Sequence, residues 1–165
     1  MITVENILTN KERRELIKYS KPYLVSSPYG ETQIPDKQTY PINVDAQKEF
    51  RPILSKIVVR ICAELKQDVQ MDKVWINCNT GKKLYWHNHS DTNIAAVYYM
   101  RTLPFLKMGT SFKLKSGKDL LTRGSQNSLL IFQGNLFHSV PLYPIPFRRY
   151  TMAMNLNPLP FWMVQ

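Results

Sequence analysis

Apolar positions along the chain change their spacing near residue 70. Before it, Leu16 and Ile17 with Tyr19 or Tyr23 lie near helical spacing, and Phe50, Ile53 or Leu54, Ile57, Ile61 and Leu65 recur every three or four residues. Each set predicts one apolar side of a helix. Thr9 stands three residues before Glu12, a capping box, so the first helix begins there and ends near Lys21 and Pro22. Pro52 fits only the first turn of the second helix, where a missing N–H is harmless. Between the two, residues 26–41 are polar and contain Pro28, Gly30, Pro35 and Pro41, which predicts a wandering loop.

From residue 73 the spacing becomes two. Candidate strands are "KVWINCN", "KLYWHNH", "IAAVYYM", "TSFKLKS", "SLLIFQ", "HSVPLY" and "RYTMAMNL", most of them separated by turns rich in Gly, Asn, Asp, Ser or Pro. Seven or so short strands with no helix between them predict a mainly β fold, a sandwich, jelly roll or barrel, preceded by two supporting α-helices. With 165 residues, 44% of them hydrophobic, the chain suits a single domain over 1–165, a helical support region over 1–70 and a β core over 73–157. Charge interrupts every long apolar stretch and the N-terminus lacks a signal-like hydrophobic region, so a soluble, cytoplasmic protein without a membrane partner is expected. Cys62 and Cys78 fall in different elements without C-x-x-C spacing and read as buried free thiols.

Charge adds a bias toward certain partners. Lys and Arg number 22 against 12 Asp and Glu, and after Asp91 the only acid is Asp119. A positive field over one face favours acidic or nucleic-acid partners, the plain alternative being a surface kept soluble by its charge. Along the chain itself no aromatic-interleaved basic stripe, of the kind that stacks bases in single-strand binders, can be read.

The chemistry concentrates in "YWHNHSD", residues 85–91. Alternate positions of an extended segment share a face, so His87, His89 and Asp91 converge if the strand continues that far. Two imidazoles and a carboxylate are the donor set of the facial triad that binds Fe(II) with open positions. The third and last histidine of the chain, His138, opens "HSVPLY" and is well placed to join them from a neighbouring strand. The plain alternative makes His87 and His89 edge-strand surface residues and His138 a hydrogen-bonded core residue.

These segments taken in order resemble a known family. Gly81, the histidine motif, "AAVYYM", Gly109 in "GTSF", "LLIFQG", His138 and Arg149-Tyr150-Thr151 follow one another as in the Fe(II)/2-oxoglutarate-dependent oxygenases, in particular the small, prolyl-hydroxylase-like ones of tailed-phage genomes. The likeness spans residues 73–157. It implies a double-stranded β-helix with iron near one mouth, 2-oxoglutarate and O2 as cosubstrates, ascorbate as an accessory reductant, and succinate and CO2 as products. It also assigns Arg149 and Thr151 to the distal carboxylate of 2-oxoglutarate. The geometry of a planar guanidinium agrees, and the two residues share one strand face. Tyr99, on the parity of Ala95 and Val97, is a further candidate for that carboxylate, with a core tyrosine as its plain reading. Arg148 has the opposite parity and is expected in solvent.

Two registers of the metal motif compete. His89-Ser90-Asp91 fits the family's His-x-Asp by residue type, whereas the distance from Gly81 favours His87 first with His89 in the aspartate's place. Trp75, Asn77, Tyr85 and Trp86 flank the motif as candidate cavity lining. The resemblance leans toward a protein side chain such as proline as primary substrate, acidic or peptidyl, with nucleic acid next. Two rival classes stay open: a cupin-like metalloprotein of different chemistry, which has no need of Arg149, and a non-enzymatic jelly-roll interaction module.

Overall fold

The computed structural model describes residues 1–25, 37–38, 48–80, 85–143 and 145–159. Its elements are strand β1 (Ile2–Glu5), helix α1 (Asn10–Ser20) with a 3-10 turn over Lys21–Tyr23, strand β2 (Lys37–Gln38), helix α2 (Arg51–Leu65), and strands β3 (Val69–Asn79), β4 (Ile94–Arg101), β5 (Ser111–Lys113), β6 (Asp119–Leu121), β7 (Ser128–Gln133), β8 (His138–Ser139) and β9 (Arg149–Pro158). Most of the expected loop over 26–41, and Gly81, lie outside the described residues. No helix among the described residues is long and apolar enough to cross a membrane.

Two antiparallel sheets face each other as a jelly roll. The larger runs β1-β7-β4-β9-β3-β2 and the smaller β6-β5-β8. Strand alternation divides the large sheet. Ala96, Tyr98 and Met100 of β4, Leu129 and Ile131 of β7, and Met152, Met154 and Leu156 of β9 join Leu16, Phe50, Ile57 and Ile61 from the helical region in one apolar core. Ala95 and Tyr99, Leu130 and Phe132 point the other way, toward Phe112 of the small sheet. The helices therefore support the sheet from behind and leave its opposite face for a cavity.

Local chemistry explains the helix ends. Thr9 and Glu12 form the reciprocal capping box, with Thr9 Oγ1 accepting from the Glu12 N–H at 3.2 Å and Glu12 Oε2 accepting from the Thr9 N–H at 2.9 Å. Lys66 takes a left-handed φ of 52° and closes α2 by donating its N–H to the Cys62 carbonyl.

The β pattern departs from expectation at short or irregular strands. "KLYWHNH" contributes an isolated bridge at His87, and "HSVPLY" shrinks to the two residues of β8. Strands β1 and β6 have too few alternations to read before the structure is known, and both find partners only in three dimensions, β1 on β7 and β6 on β5. Cys78 is buried and Cys62 half-buried, and neither is in a disulfide.

Asn127 ties the N-terminal segment to this sheet. Its Oδ1 accepts from the Leu8 N–H at 3.1 Å and the Tyr98 hydroxyl at 2.7 Å, while its Nδ2 donates to the Leu8 carbonyl at 2.8 Å. Its backbone sits at φ 65°, a conformation asparagine tolerates better than alanine. Asn127→Ala is expected to cost about 3 kcal/mol, combining three lost hydrogen bonds with left-handed strain. A urea midpoint that drops with unchanged m-value would show it; a shift within about 0.5 kcal/mol would remove Asn127 from this role.

Candidate active site

The cavity follows from the register of three neighbouring strands. Across β3, β9 and β4, Asn77 pairs with Thr151 and Thr151 with Tyr99; Trp75 with Ala153 and Ala153 with Val97; Lys73 with Asn155 and Asn155 with Ala95. These side chains share the face away from the helices. Ala95 and Ala153 are too small to fill the space between the sheets; Thr110, His138 and Val140 form the opposite wall of a cavity of about 300 Å³, and Phe132, beside Ala95 on the large sheet, also lines it.

The three histidines meet on that wall. His87 and His138 form a hydrogen-bonded antiparallel pair, N–H to carbonyl at 3.0 and 2.8 Å, so their side chains leave the backbone on the same side. His89 is brought in by its N–H, which donates to the Gly134 carbonyl at 2.8 Å. Gly134 allows this crossing because a Cβ there would stand 2.2 Å from the Thr92 carbonyl oxygen and 2.8 Å from that of His89. Ring centroids lie 4.3 Å apart for His87 and His138, 5.2 Å for His89 and His138, and 5.3 Å for His87 and His89. One ring nitrogen from each lies within 4.8 Å of the others.

Hydrogen bonding orients two of these rings. His87 Nδ1 is 3.1 Å from the Tyr85 carbonyl oxygen and His138 Nδ1 2.8 Å from that of Leu136. A carbonyl only accepts, so each Nδ1 carries the proton and each Nε2 keeps a free lone pair, the arrangement metal-binding imidazoles need. Burial lowers the basicity of all three. His89 is held at about 4 and His138 at about 3, desolvation being the largest cause and the neighbouring His87 the next; His87 is also lowered by desolvation.

Asp91 stands outside this trio. Residues 89–92 turn, with the Thr92 N–H donating to the His89 carbonyl at 3.1 Å, so the alternation that would have aligned Asp91 with the histidines ends at His89. Its carboxylate, 66% exposed, pairs instead with Lys73 Nζ at 3.5 Å on the cavity rim.

Arg149 lies in the same cavity and is fully buried. Its Nε donates to the Met108 carbonyl at 2.7 Å, with Nη1 3.5 Å from Asn79 Oδ1 and Nη2 3.5 Å from the Gly109 carbonyl oxygen. Among the described residues no carboxylate pairs with it. Burial accordingly lowers its pKa, and a buried guanidinium held only by neutral oxygens favours an anionic partner. Thr151 is buried on the same strand face and lines the cavity. Tyr99 lies beneath the guanidinium, its ring centroid 5.4 Å from Cζ, and its hydroxyl shares a 2.8 Å hydrogen bond with Thr110 Oγ1. Arg148 is exposed.

Trp75 and Tyr85 line the cavity, Trp75 with its ring centroid 5.8 Å from that of His89, and Asn77 lines it as well; Trp86 does not. Sequence reading missed Asn79, Thr110 and Asn155. Asn155 was the most accessible, since extending the Arg149 and Thr151 alternation reaches it. The Oδ1 atoms of Asn77 and Asn155 are buried without a hydrogen-bond partner, two unsatisfied acceptors beside the cavity.

No protein-family model matches the chain and no curated protein is similar to it in sequence. Solved structures are similar in three dimensions. A prolyl-4-hydroxylase from Pseudomonas putida superposes with TM-score 0.69 at 16% identity, over 96% of this chain and 92% of that one. HygX from Streptomyces hygroscopicus, with nickel, 2-oxoglutarate and hygromycin B bound, gives 0.67 at 13%, over 95% and 82%. The non-heme α-ketoglutarate-dependent epimerase SnoN from nogalamycin biosynthesis gives 0.75 at 10%, over 94% and 76%. Identities this low speak for architecture, and the architecture is unambiguous: the chain has the jelly-roll fold of the Fe(II)- and 2-oxoglutarate-dependent oxygenases.

Proposed function

We propose that the protein is an Fe(II)- and 2-oxoglutarate-dependent oxygenase in which His87, His89 and His138 hold the metal and Arg149 holds the distal carboxylate of 2-oxoglutarate. The observation that carries this reading is one cavity bordered by three converging imidazoles and a fully buried, acid-free guanidinium. Both halves are needed. A metalloprotein of other chemistry has no use for Arg149, and an interaction module has no use for either half.

When bound there, Fe(II) supplies oxygen activation, with 2-oxoglutarate oxidised to succinate and CO2 as a C–H bond of the primary substrate is hydroxylated. The residues of the chain bind and orient. Three neutral imidazoles present lone pairs without first losing protons, and their set carries no charge, so the anionic cosubstrate is what balances the cation. Arg149 offers the carboxylate two parallel N–H donors in a dry setting, and the Thr151 hydroxyl adds a third. Tyr99 acts through position, its ring under the guanidinium and its hydroxyl fixing Thr110. The similar solved structures include a prolyl-4-hydroxylase and a protein holding hygromycin B, so the fold alone does not select peptidyl proline or any other substrate.

Purified protein supplied with Fe(II), ascorbate, O2 and 2-oxoglutarate is expected to form succinate even without primary substrate. His138→Ala should form none, and Arg149→Ala should lose at least about 100-fold in kcat/KM for 2-oxoglutarate, roughly the 2.7 kcal/mol of a lost charge-assisted pair. Equal succinate from the wild type and Arg149→Ala would refute the assignment of Arg149.

Mn(II) titrations should separate the two competing ligand sets. His87→Ala is expected to weaken binding by more than the roughly 10- to 100-fold typical of losing an outer hydrogen-bond partner, whereas Asp91→Ala should stay within about threefold. The reverse order would make Asp91 the ligand.

Stability of the metal-free protein should fall on acidification. Unfolded histidine takes its proton near pH 6.5, while folded His89 and His138 resist until about 4 and 3. Between those limits the unfolded chain holds more protons, so the stability present above pH 6.5 is progressively lost as pH drops toward 4. Urea midpoints measured across this range should fall less steeply for His138→Gln than for the wild type; parallel slopes would show that His138 is not held neutral.

A further inference from the structure

The small sheet has a second face, turned away from the cavity. His87, His138 and Phe112 point inward, with the Phe112 and His138 rings 6.0 Å apart, so their chain neighbours Trp86, Phe137 and Lys113 point outward. Direct contact places two of these on one surface, because Lys113 Nζ lies 5.1 Å from the centroid of the Trp86 ring. Phe137 is 49% exposed there, and the Lys113 N–H donates to its carbonyl at 3.0 Å. Tyr85, 47% exposed, has its ring 5.3 Å from that of His87 and lines the cavity, which makes the aromatic surface continuous with the cavity mouth.

Charge on this side is one-sided. On and beside this face Lys113, Lys115 and Lys118 stand against the single acid Asp119, which lies opposite Lys113 in the strand register. Lys115 and Lys118 are exposed in the turn between β5 and β6. Partly exposed aromatic rings beside three lysines match the two requirements of a single-stranded nucleic acid, stacking for the bases and neutralisation for the phosphates. An acidic peptide needs only the second. Three segments distant in sequence contribute the rings and charges, which is why no such stripe is visible along the chain.

We propose that the outer face of the β6-β5-β8 sheet, with Tyr85 at the cavity mouth, is a docking surface for single-stranded nucleic acid. Calling the docked strand the oxygenase substrate rests on the function proposed above; the surface itself does not.

The test is fluorescence anisotropy of a labelled oligothymidine of about 20 nucleotides with the full chain, repeated over a salt series. Affinity should fall linearly on logarithmic axes, by about 0.7 per phosphate neutralised. Lys115→Glu combined with Lys118→Glu should weaken binding at least about tenfold at low salt and flatten that slope. Phe137→Ala should weaken it roughly fivefold or more at every salt concentration with the slope kept, the mark of lost stacking rather than lost charge. All three positions are exposed, and unchanged thermal melts would verify that folding is intact. Absence of binding, equal binding to duplex, equal competition by polyglutamate, or indifference to Phe137→Ala would each overturn the proposal. Succinate formation is scored separately: binding without it would leave the surface standing and remove the oxygenase, and succinate without binding would do the opposite.

Discussion

Strand β9 divides the molecule into a scaffold and a site, and it does so through the two-residue period of an extended chain. It lies between β3 and β4, so its backbone is paired along both edges. Met152, Met154 and Leu156 bury themselves against the helical side, while Arg149, Thr151, Ala153 and Asn155 face the cavity. A slip of one residue would drive a guanidinium and an amide into the apolar core and turn three large apolar side chains into the cavity. The apolar packing behind the sheet is therefore what aims the polar residues in front of it.

Burial then sets the charge state of the cavity. The imidazoles lose basicity because they sit together in a desolvated wall, and the guanidinium sits among carbonyl and amide oxygens with no acid beside it among the described residues. Around the entrance the balance is different: Asp91 and Lys73 satisfy one another in solvent, where such a pair contributes little to stability.

Much of this was legible in the sequence because it rests on local rules. The capping box of α1, the helical period of α2 and the alternation of β3, β4, β7 and β9 each depend on near neighbours, and the convergence of His138 with the His87 segment follows from strand parity. The exceptions are informative. Asp91 joins the histidines only if the chain stays extended beyond His89, and the hydrogen bonds of the 89–92 turn, to Gly134 and within itself, end that extension. Asn79 carries no motif, and Thr110 stands in "GTSF" only as the neighbour of Gly109; they matter through cross-strand register with Arg149 and hydrogen bonding to Tyr99, which only the folded sheet defines. Strand β1 was invisible for the same reason, since four residues without a partner in sight carry almost no pattern.

That short strand also closes a sheet edge. Ser128 to Phe132 is an uninterrupted buried run without a single charge, and β1 is what covers its outer edge, Ile2 opposite Ile131 and Val4 opposite Leu129. Uncovered, this segment is an open template for pairing with another chain. The covering strand and its partner are separated by the stretch of sequence between residues 5 and 128. Pairing with β1 thus closes an edge that an apolar, uncharged strand would otherwise leave open to another chain.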